Sequence, residues 1–208
     1  MKKIESEGQI RVFNNRFLEV LTKSSPLIAL AAYSPFIILF SFINYKQNIL
    51  SFSTSLIIGL GGLISWTLFE YLIHRYIFHF INDSKIVQKI HFFIHGIHHQ
   101  SPRDQERLIM PPLPGLIILS VFFILFKLIL KHYVYAFLSG LLIGYLLYAF
   151  IHYSIHTYKP PSSFLRKLWT YHSLHHYKDA KICFGVSSPL WDLLLGTMPP
   201  KKTDGEIS

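Results

Sequence analysis

Cysteine is almost missing from this chain: Cys183 stands alone among 208 residues. A single thiol rules out a disulfide within one chain, a four-cysteine zinc site and an iron–sulfur cluster held by this chain. Acidic side chains are also few, 11 Asp and Glu against 20 Lys and Arg, which leaves a formal net charge of +9. The basic residues lie between apolar runs rather than in one stripe, so they point to phospholipid head groups and not to nucleic acid. The chain has no Gly-rich dinucleotide fingerprint and no internal repeat or low-complexity linker. Its polar, basic first 25 residues lack the short apolar core of a cleavable signal peptide, so the N-terminus is expected to remain in the mature protein.

Apolar sequence is what the chain has instead. Its 51% hydrophobic content, 18 Phe and mean hydropathy of +0.36 exceed what a soluble domain carries. The expected fold is all-α and integral to a membrane: a polar basic lead-in over 1–25, a membrane domain over 26–200 and a tail over 201–208. Ile10, Val12, Phe13, Phe17 and Leu18 suggest a surface-lying helix in the lead-in. Four transmembrane helices are expected at about 26–43, 54–73, 115–130 and 133–151, near the roughly 20 residues that a ~30 Å hydrocarbon core requires. Pro35 is tolerable within the first. Lys131 and His132 alone separate the last two, which predicts a tight helical hairpin, and Met110–Pro114 reads as an extended lead into it. Of the Lys and Arg residues, 17 fall before the first run, between 75 and 107, or after His156, against 3 on the opposite side (Lys46, Lys127, Lys131). The positive-inside rule then places both termini, and a helical cap, in the cytoplasm. Such a protein would sit in the inner membrane of a bacterium or the endoplasmic reticulum of a eukaryote.

Histidine supplies the chemistry. Eleven of the twelve fall into four clusters at the ends of apolar runs: His74 and His79; His91, His95, His98 and His99; His152 and His156; His172, His175 and His176. A single His-x3-His on a helix is ordinarily chance, but four clusters at one membrane face describe a metal site. On a helix His91, His95 and His98 would line one face, as would His152 and His156. Neighbours such as His98 and His99, or His175 and His176, diverge by about 100° and cannot easily reach one ion together, so the pattern predicts two metals. His74 and His79, five apart, share no face of a straight helix, which predicts an irregularity near Tyr76. Imidazole suits Fe, Zn, Cu and Ni alike. The number of ligands favours iron, because four complete a structural zinc site, whereas two irons with five imidazoles each keep positions open for dioxygen. Ligation without bridging carboxylates also differs from the Glu-rich soluble di-iron bundles. His91 reads as a hydrogen-bonding neighbour of the ligands, and His132, on the opposite side, as a plain loop histidine. Glu70, Asp104, Asp179 and Asp192 are candidates to orient ligand imidazoles, with ordinary structural roles as the plain alternative.

Four stretches, Ser65–His79, His91–His99, Arg107–Pro114 and Phe184–Asp192, resemble the membrane fatty acid hydroxylase and sterol desaturase superfamily, and within it the fatty acid 2-hydroxylases. The resemblance implies His74, His79, His95, His98, His99, His152, His156, His172, His175 and His176 as metal ligands, with no catalytic residue beyond them. It implies two Fe ions (or Zn as purified) and O2 as co-substrate. The implied reaction is hydroxylation of a lipid acyl chain, at C2 of a fatty acid or ceramide. Substrate would enter laterally from the bilayer, between the spans and a cap built from 80–112 and 157–197. The relatives' fused haem domain has no counterpart in the lead-in, so electrons are expected from a separate b-type cytochrome or a ferredoxin with its reductase. Tyr177–Cys183 departs from the His- and Ser-containing stretch of the eukaryotic enzymes. A sterol or carotenoid hydroxylase or desaturase keeps the same site with another substrate. A non-catalytic metal-binding or transport protein would place ionisable groups at mid-membrane depth, and these spans are apolar.

Overall fold

The computed structural model describes residues 10–200, so the first nine residues of the lead-in and the 201–208 tail lie outside it. The described residues form helices and loops, with no β-strand among them. Among the described residues of the lead-in, 10–25, one short helix forms, α1 (Arg16–Val20), which holds Phe17 and Leu18 of the suggested surface helix and leaves Ile10, Val12 and Phe13 outside it. The Glu19 carboxylate accepts from the backbone N–H groups of Val12 (3.0 Å) and Phe13 (2.8 Å), which holds that stretch in a non-helical approach.

Serine caps set the first two long helices. Ser25 Oγ accepts from Ile28 N at 3.2 Å and Pro26 occupies the first turn, opening α2 (Pro26–Lys46). Ser51 Oγ accepts from Thr54 N at 3.2 Å and opens α3 (Phe52–Ile73). A π-helical turn, His74–Phe78, continues α3 without a break. Then follow α4 (Lys85–His91), a second π turn (Phe92–Gly96) and α5 (Ile97–Gln100). The hairpin expected around Lys131 is α6 (Pro112–Leu130) and α7 (Val134–Thr157), joined by a 3-10 turn at Lys131–Tyr133. The described residues close with α8 (Arg166–Tyr177) and α9 (Leu190–Leu194).

Among the described residues, three segments are long and apolar enough to cross a membrane: Pro26–Lys46, Phe52–Phe78 and Pro112–Thr157, the last being α6, its turn and α7 together. Between 11% and 22% of each apolar window is buried within the protein. The remaining apolar surface faces outward, which only a lipid environment makes favourable, so the chain is a membrane protein.

The central helix is α7, which buries Val134, Leu138, Leu141 and Ala149. Its closest partner is α3, and glycine sets the distance between them. A Cβ on Gly140 would lie 1.8 Å from Gly59 O, and one on Gly62 would lie 2.0 Å from Phe137 O. The backbones touch there, as small residues permit in membrane helix pairs. That contact brings the two histidine-bearing helix ends together, His74 beyond α3 and His152 and His156 on α7. Tyr33 and Phe40 pack α2 onto the same core.

Candidate metal centre

Turn geometry decides which histidines meet. In the first π turn His79 N donates to His74 O at 3.2 Å, an i→i+5 bond that aligns residues five apart. Their Nε2 atoms stand 3.3 Å from each other, so the irregularity expected near Tyr76 is this turn. In α-helical geometry residues four apart meet: His152 with His156 at 3.2 Å, and His172 with His176 at 3.1 Å. His95 pairs with His99 at 3.0 Å. This corrects the reading that His91, His95 and His98 share one face. His95 lies in the second π turn, where each residue advances less around the axis, so three residues fall short of a full turn and four nearly complete one.

The ten histidines assemble into two groups of five, in each of which the ligand atoms lie within 4.8 Å of one another. The first is His74, His79, His95, His99 and His175; the second is His98, His152, His156, His172 and His176. Sequence neighbours fall into opposite groups, as their divergence requires. His99 and His176 stack at 4.3 Å between ring centroids where the groups adjoin.

The donor set fits a metal. Nε2 of His74, His79 and His95 form a triangle with sides of 3.1, 3.1 and 3.3 Å, and those of His152, His156 and His172 one of 2.8, 3.1 and 3.2 Å. Ligands about 2.1 Å from one ion at right angles would stand about 3 Å apart. Three imidazole nitrogens so close cannot all be satisfied by protons between them, and a shared cation satisfies them together. His175 Nε2 is buried with no protein partner, as expected of an unprotonated nitrogen kept for an ion. Burial foremost, and the neighbouring imidazoles, hold His79 at about 3 and His99 at about 4. Burial likewise holds His175 at about 4 against the opposing Ile182 carbonyl and Asp179. His95, His98, His172 and His176 are pushed well down by the same desolvation. These rings are neutral at physiological pH, which is the form that binds metal.

The far ring nitrogens expose a difference between the groups. His74 Nδ1 meets Phe184 O at 2.6 Å and His175 Nδ1 meets Ile182 O at 2.8 Å. A carbonyl only accepts, so each Nδ1 carries the proton and each Nε2 keeps its lone pair for the centre. In the second group, Nδ1 of His98, His172 and His176 is buried without a protein partner, while His152 has the Tyr148 hydroxyl 3.5 Å from Nδ1 and a backbone acceptor at Leu108.

Two of the four candidate carboxylates hold the loop that bears those carbonyls. Glu70 Oε1 accepts from Val186 N (2.5 Å) and Ser187 N (2.8 Å), and Ser187 Oγ donates to Oε2. Asp192 accepts from Phe184 N (2.8 Å), Gly185 N (2.8 Å) and Thr197 Oγ1 (2.7 Å). Neither touches an imidazole; both act through backbone. Gly185 must be glycine, since a Cβ would meet Ser188 O at 2.2 Å. Asp104 is buried but bonds Arg107 Nη1 at 2.8 Å, and Arg107 also binds Glu19, so Asp104 fastens the cap rather than the centre. Asp179 is exposed and accepts from Lys181 N at 2.9 Å. His91 belongs to neither group, its ring 6.5 Å from that of His79. His132 is exposed in the 3-10 turn at the far end of α6. The Phe184 and Ile182 carbonyls escaped sequence reasoning because a backbone acceptor has no residue signature.

A cavity of about 730 Å³ runs from the membrane segments to this centre. Its wall is largely apolar, including Ile73, Phe93, Leu119, Phe122, Leu141 and Leu142, with Trp66, Tyr145 and Tyr148 along it. It ends on His74 and His95 of the first group and His98 and His152 of the second.

Fold and site together define a helical membrane protein whose apolar cavity closes on a paired, all-histidine centre able to hold metal. Residues 59–197 match the family model for fatty acid hydroxylase, and the chain belongs to that family. It is 37% identical over 206 residues to the ceramide very long chain fatty acid hydroxylase scs7 of Schizosaccharomyces pombe, covering 97% of this chain and 58% of that protein. The fatty acid 2-hydroxylase of Rattus norvegicus is 33% identical over 219 residues, covering 95% of this chain and 59% of that one. A dihydroceramide fatty acyl 2-hydroxylase of Arabidopsis thaliana is 32% identical over 95% of this chain and 84% of its own length. A solved structure described as full-length scs7p, with only its hydroxylase domain visible, superposes with a TM-score of 0.85 at 36% identity, covering 92% of this chain and 73% of that one. The chain thus spans under three fifths of the first two relatives.

Proposed function

We propose that this protein hydroxylates the acyl chain of a membrane lipid at C2, using two iron ions held by the two histidine groups. The carrying observation is the apolar cavity ending on histidines of both groups. A volume of about 730 Å³ is in the range of small-molecule sites, and a wall of aliphatic and aromatic side chains suits a hydrocarbon. The names of the relatives support the substrate class and the C2 position. Iron bound at the centre would supply the reduction and cleavage of dioxygen needed to oxidise an unactivated C–H bond. The protein's own contribution is placement. Leu119, Phe122, Leu141 and Leu142 hold the chain, the cavity keeps water from the reacting carbon, and the Phe184 and Ile182 carbonyls fix the proton positions of His74 and His175.

Within the same reading α2, α3, α6 and α7 are four spans, with both termini and the histidine centre cytoplasmic. The 17 to 3 division of basic residues supports that orientation. The 208 residues hold no cysteine cluster and no dinucleotide fingerprint, so electrons come from outside them, from a b-type cytochrome or a ferredoxin with its reductase. Expression in a host lacking 2-hydroxy lipids, with such a donor, tests the reaction: an acyl lipid should gain one oxygen, placed on C2 by fragmentation. Oxygen appearing in a sterol or carotenoid with acyl lipids untouched would overturn the substrate, and metal binding without any oxygenated product would overturn the enzyme. Cysteine probes at positions 46 and 131 should label from outside the cell, and labelling at position 205 from that side would reverse the orientation.

A further inference from the structure

The two groups have five imidazoles each, yet their far nitrogens are treated differently. Two rings of the first group, His74 and His175, donate Nδ1–H to carbonyls at 2.6 and 2.8 Å. Three rings of the second group, His98, His172 and His176, bury Nδ1 with no protein acceptor, and its His152 has a single backbone acceptor, at Leu108. The 182–187 loop that carries both carbonyls is itself held at four successive amides: Phe184 and Gly185 by Asp192, Val186 and Ser187 by Glu70. Cys183, at φ 56, is held through its own N–H to Thr197 O at 2.8 Å. The acceptors are therefore rigid before any metal arrives.

A donated Nδ1–H fixes the tautomer that presents Nε2 and makes that nitrogen more basic, and outer partners of this kind typically change metal affinity about 10–100-fold. A buried ring without one has its tautomer unfixed and its N–H unsatisfied. We propose that the two sites are unequal: the group of His74, His79, His95, His99 and His175 is the tighter site, with Glu70 and Asp192 as its positioning residues, and the other group is the weaker. This rests on the reading of the histidine groups as metal sites. Access does not argue the reverse. His79 and His99 are partly exposed, which speeds exchange at the first site but leaves its equilibrium affinity unchanged.

The test is equilibrium competition on the purified full chain in detergent, loaded with Zn²⁺ and titrated with chelator, reading metal per chain by elemental analysis. Two steps of one ion each are expected, separated by about tenfold or more in chelator. His176→Ala should keep only the tighter step and His79→Ala only the weaker. Glu70→Gln should weaken the tighter step about 10–100-fold and leave the other in place, a selectivity that a general loss of fold would not produce. Ser187→Ala, which removes one donor to Glu70, should move the same step by less, and it serves if Glu70→Gln does not fold. A single two-ion step, or equal movement of both steps in Ser187→Ala, overturns the inference while leaving the metal centre standing. Failure of the wild-type chain to bind Zn²⁺ overturns both.

Discussion

The membrane bundle and the cap (residues 74–111 and 158–197) are built on opposite terms. The bundle is regular helix, joined by apolar packing and by backbone contact at Gly62 and Gly140. The cap relies on short helices, two π turns, buried ion pairs and a loop fixed by carboxylates. Regular helices can bring two pairs of histidines side by side. They cannot aim ten nitrogens at two points, because a straight α-helix repeats only at three- and four-residue spacing. Each departure from regularity, the turn at His74–Phe78 and the one at Phe92–Gly96, falls where a histidine must be re-aimed, in keeping with the clustering of π turns at functional sites. The bundle positions the cap, and the cap sets the geometry of the centre.

The comparison breaks most completely if a ligand can be lost without consequence. His98→Ala and His176→Ala each remove a nitrogen from the second group and should reduce turnover to background. The bundle should persist, since its core contains neither residue. Activity assay and far-UV circular dichroism on the same preparation check both halves, and a variant retaining substantial turnover would remove that ring from the centre.

Next in size is damage delivered from the bundle. Gly140→Leu must push α7 away from the Gly59 carbonyl, and overpacking of this kind costs about 1–3 kcal/mol or more. Thermal unfolding in detergent should fall accordingly, and metal content should fall with it because the α3 and α7 helix ends separate. An unchanged metal content with lowered stability would show that the cap positions the histidines unaided.

Acid should act on the histidine centre. His79, His99 and His175, at about 3, 4 and 4 in the fold, return to about 6.5 when unfolded. Below 6.5 the unfolded chain therefore binds protons that the native metal-free chain refuses. Stability that is full above 6.5 drains away as the pH falls toward 4 to 3. Thermal midpoints of the metal-free protein should drop across this window. The extra stability given by metal should shrink over the same range, as protons compete for the ligands. A flat profile from pH 7.5 to 4.5 would contradict the burial of these rings.

Much of this was legible in the sequence. The apolar runs announced the long helices, and His98 beside His99 and His175 beside His176 announced two groups, because neighbours on any helix diverge. His74 and His79, five apart, even located the first π turn. The second left no such mark: His95 and His98 fit an ordinary helix by spacing, so their separation into different groups required coordinates. Glu70 and Asp192 were visible only as nearby carboxylates. Their effect passes through the amides and carbonyls of 182–187, and backbone groups are the same in every residue.

The smallest effects should come from the two histidines outside both groups. His132 is exposed in the turn at the far end of the bundle, and His132→Ala should change stability by less than about 0.5 kcal/mol, as surface substitutions do. His91 is the sharper case because it follows the same spacing as its neighbours. It is half-buried, its ring lies 6.5 Å from that of His79, and a Cβ on Gly96 would lie 3.5 Å from its Nδ1. It packs beside the centre without turning a nitrogen into it. His91→Ala should therefore retain two ions per chain, with any loss of affinity confined to the first group and below about tenfold. Metal analysis decides the point: loss of one full ion would make His91 a ligand and show that the cap rearranges around its metal.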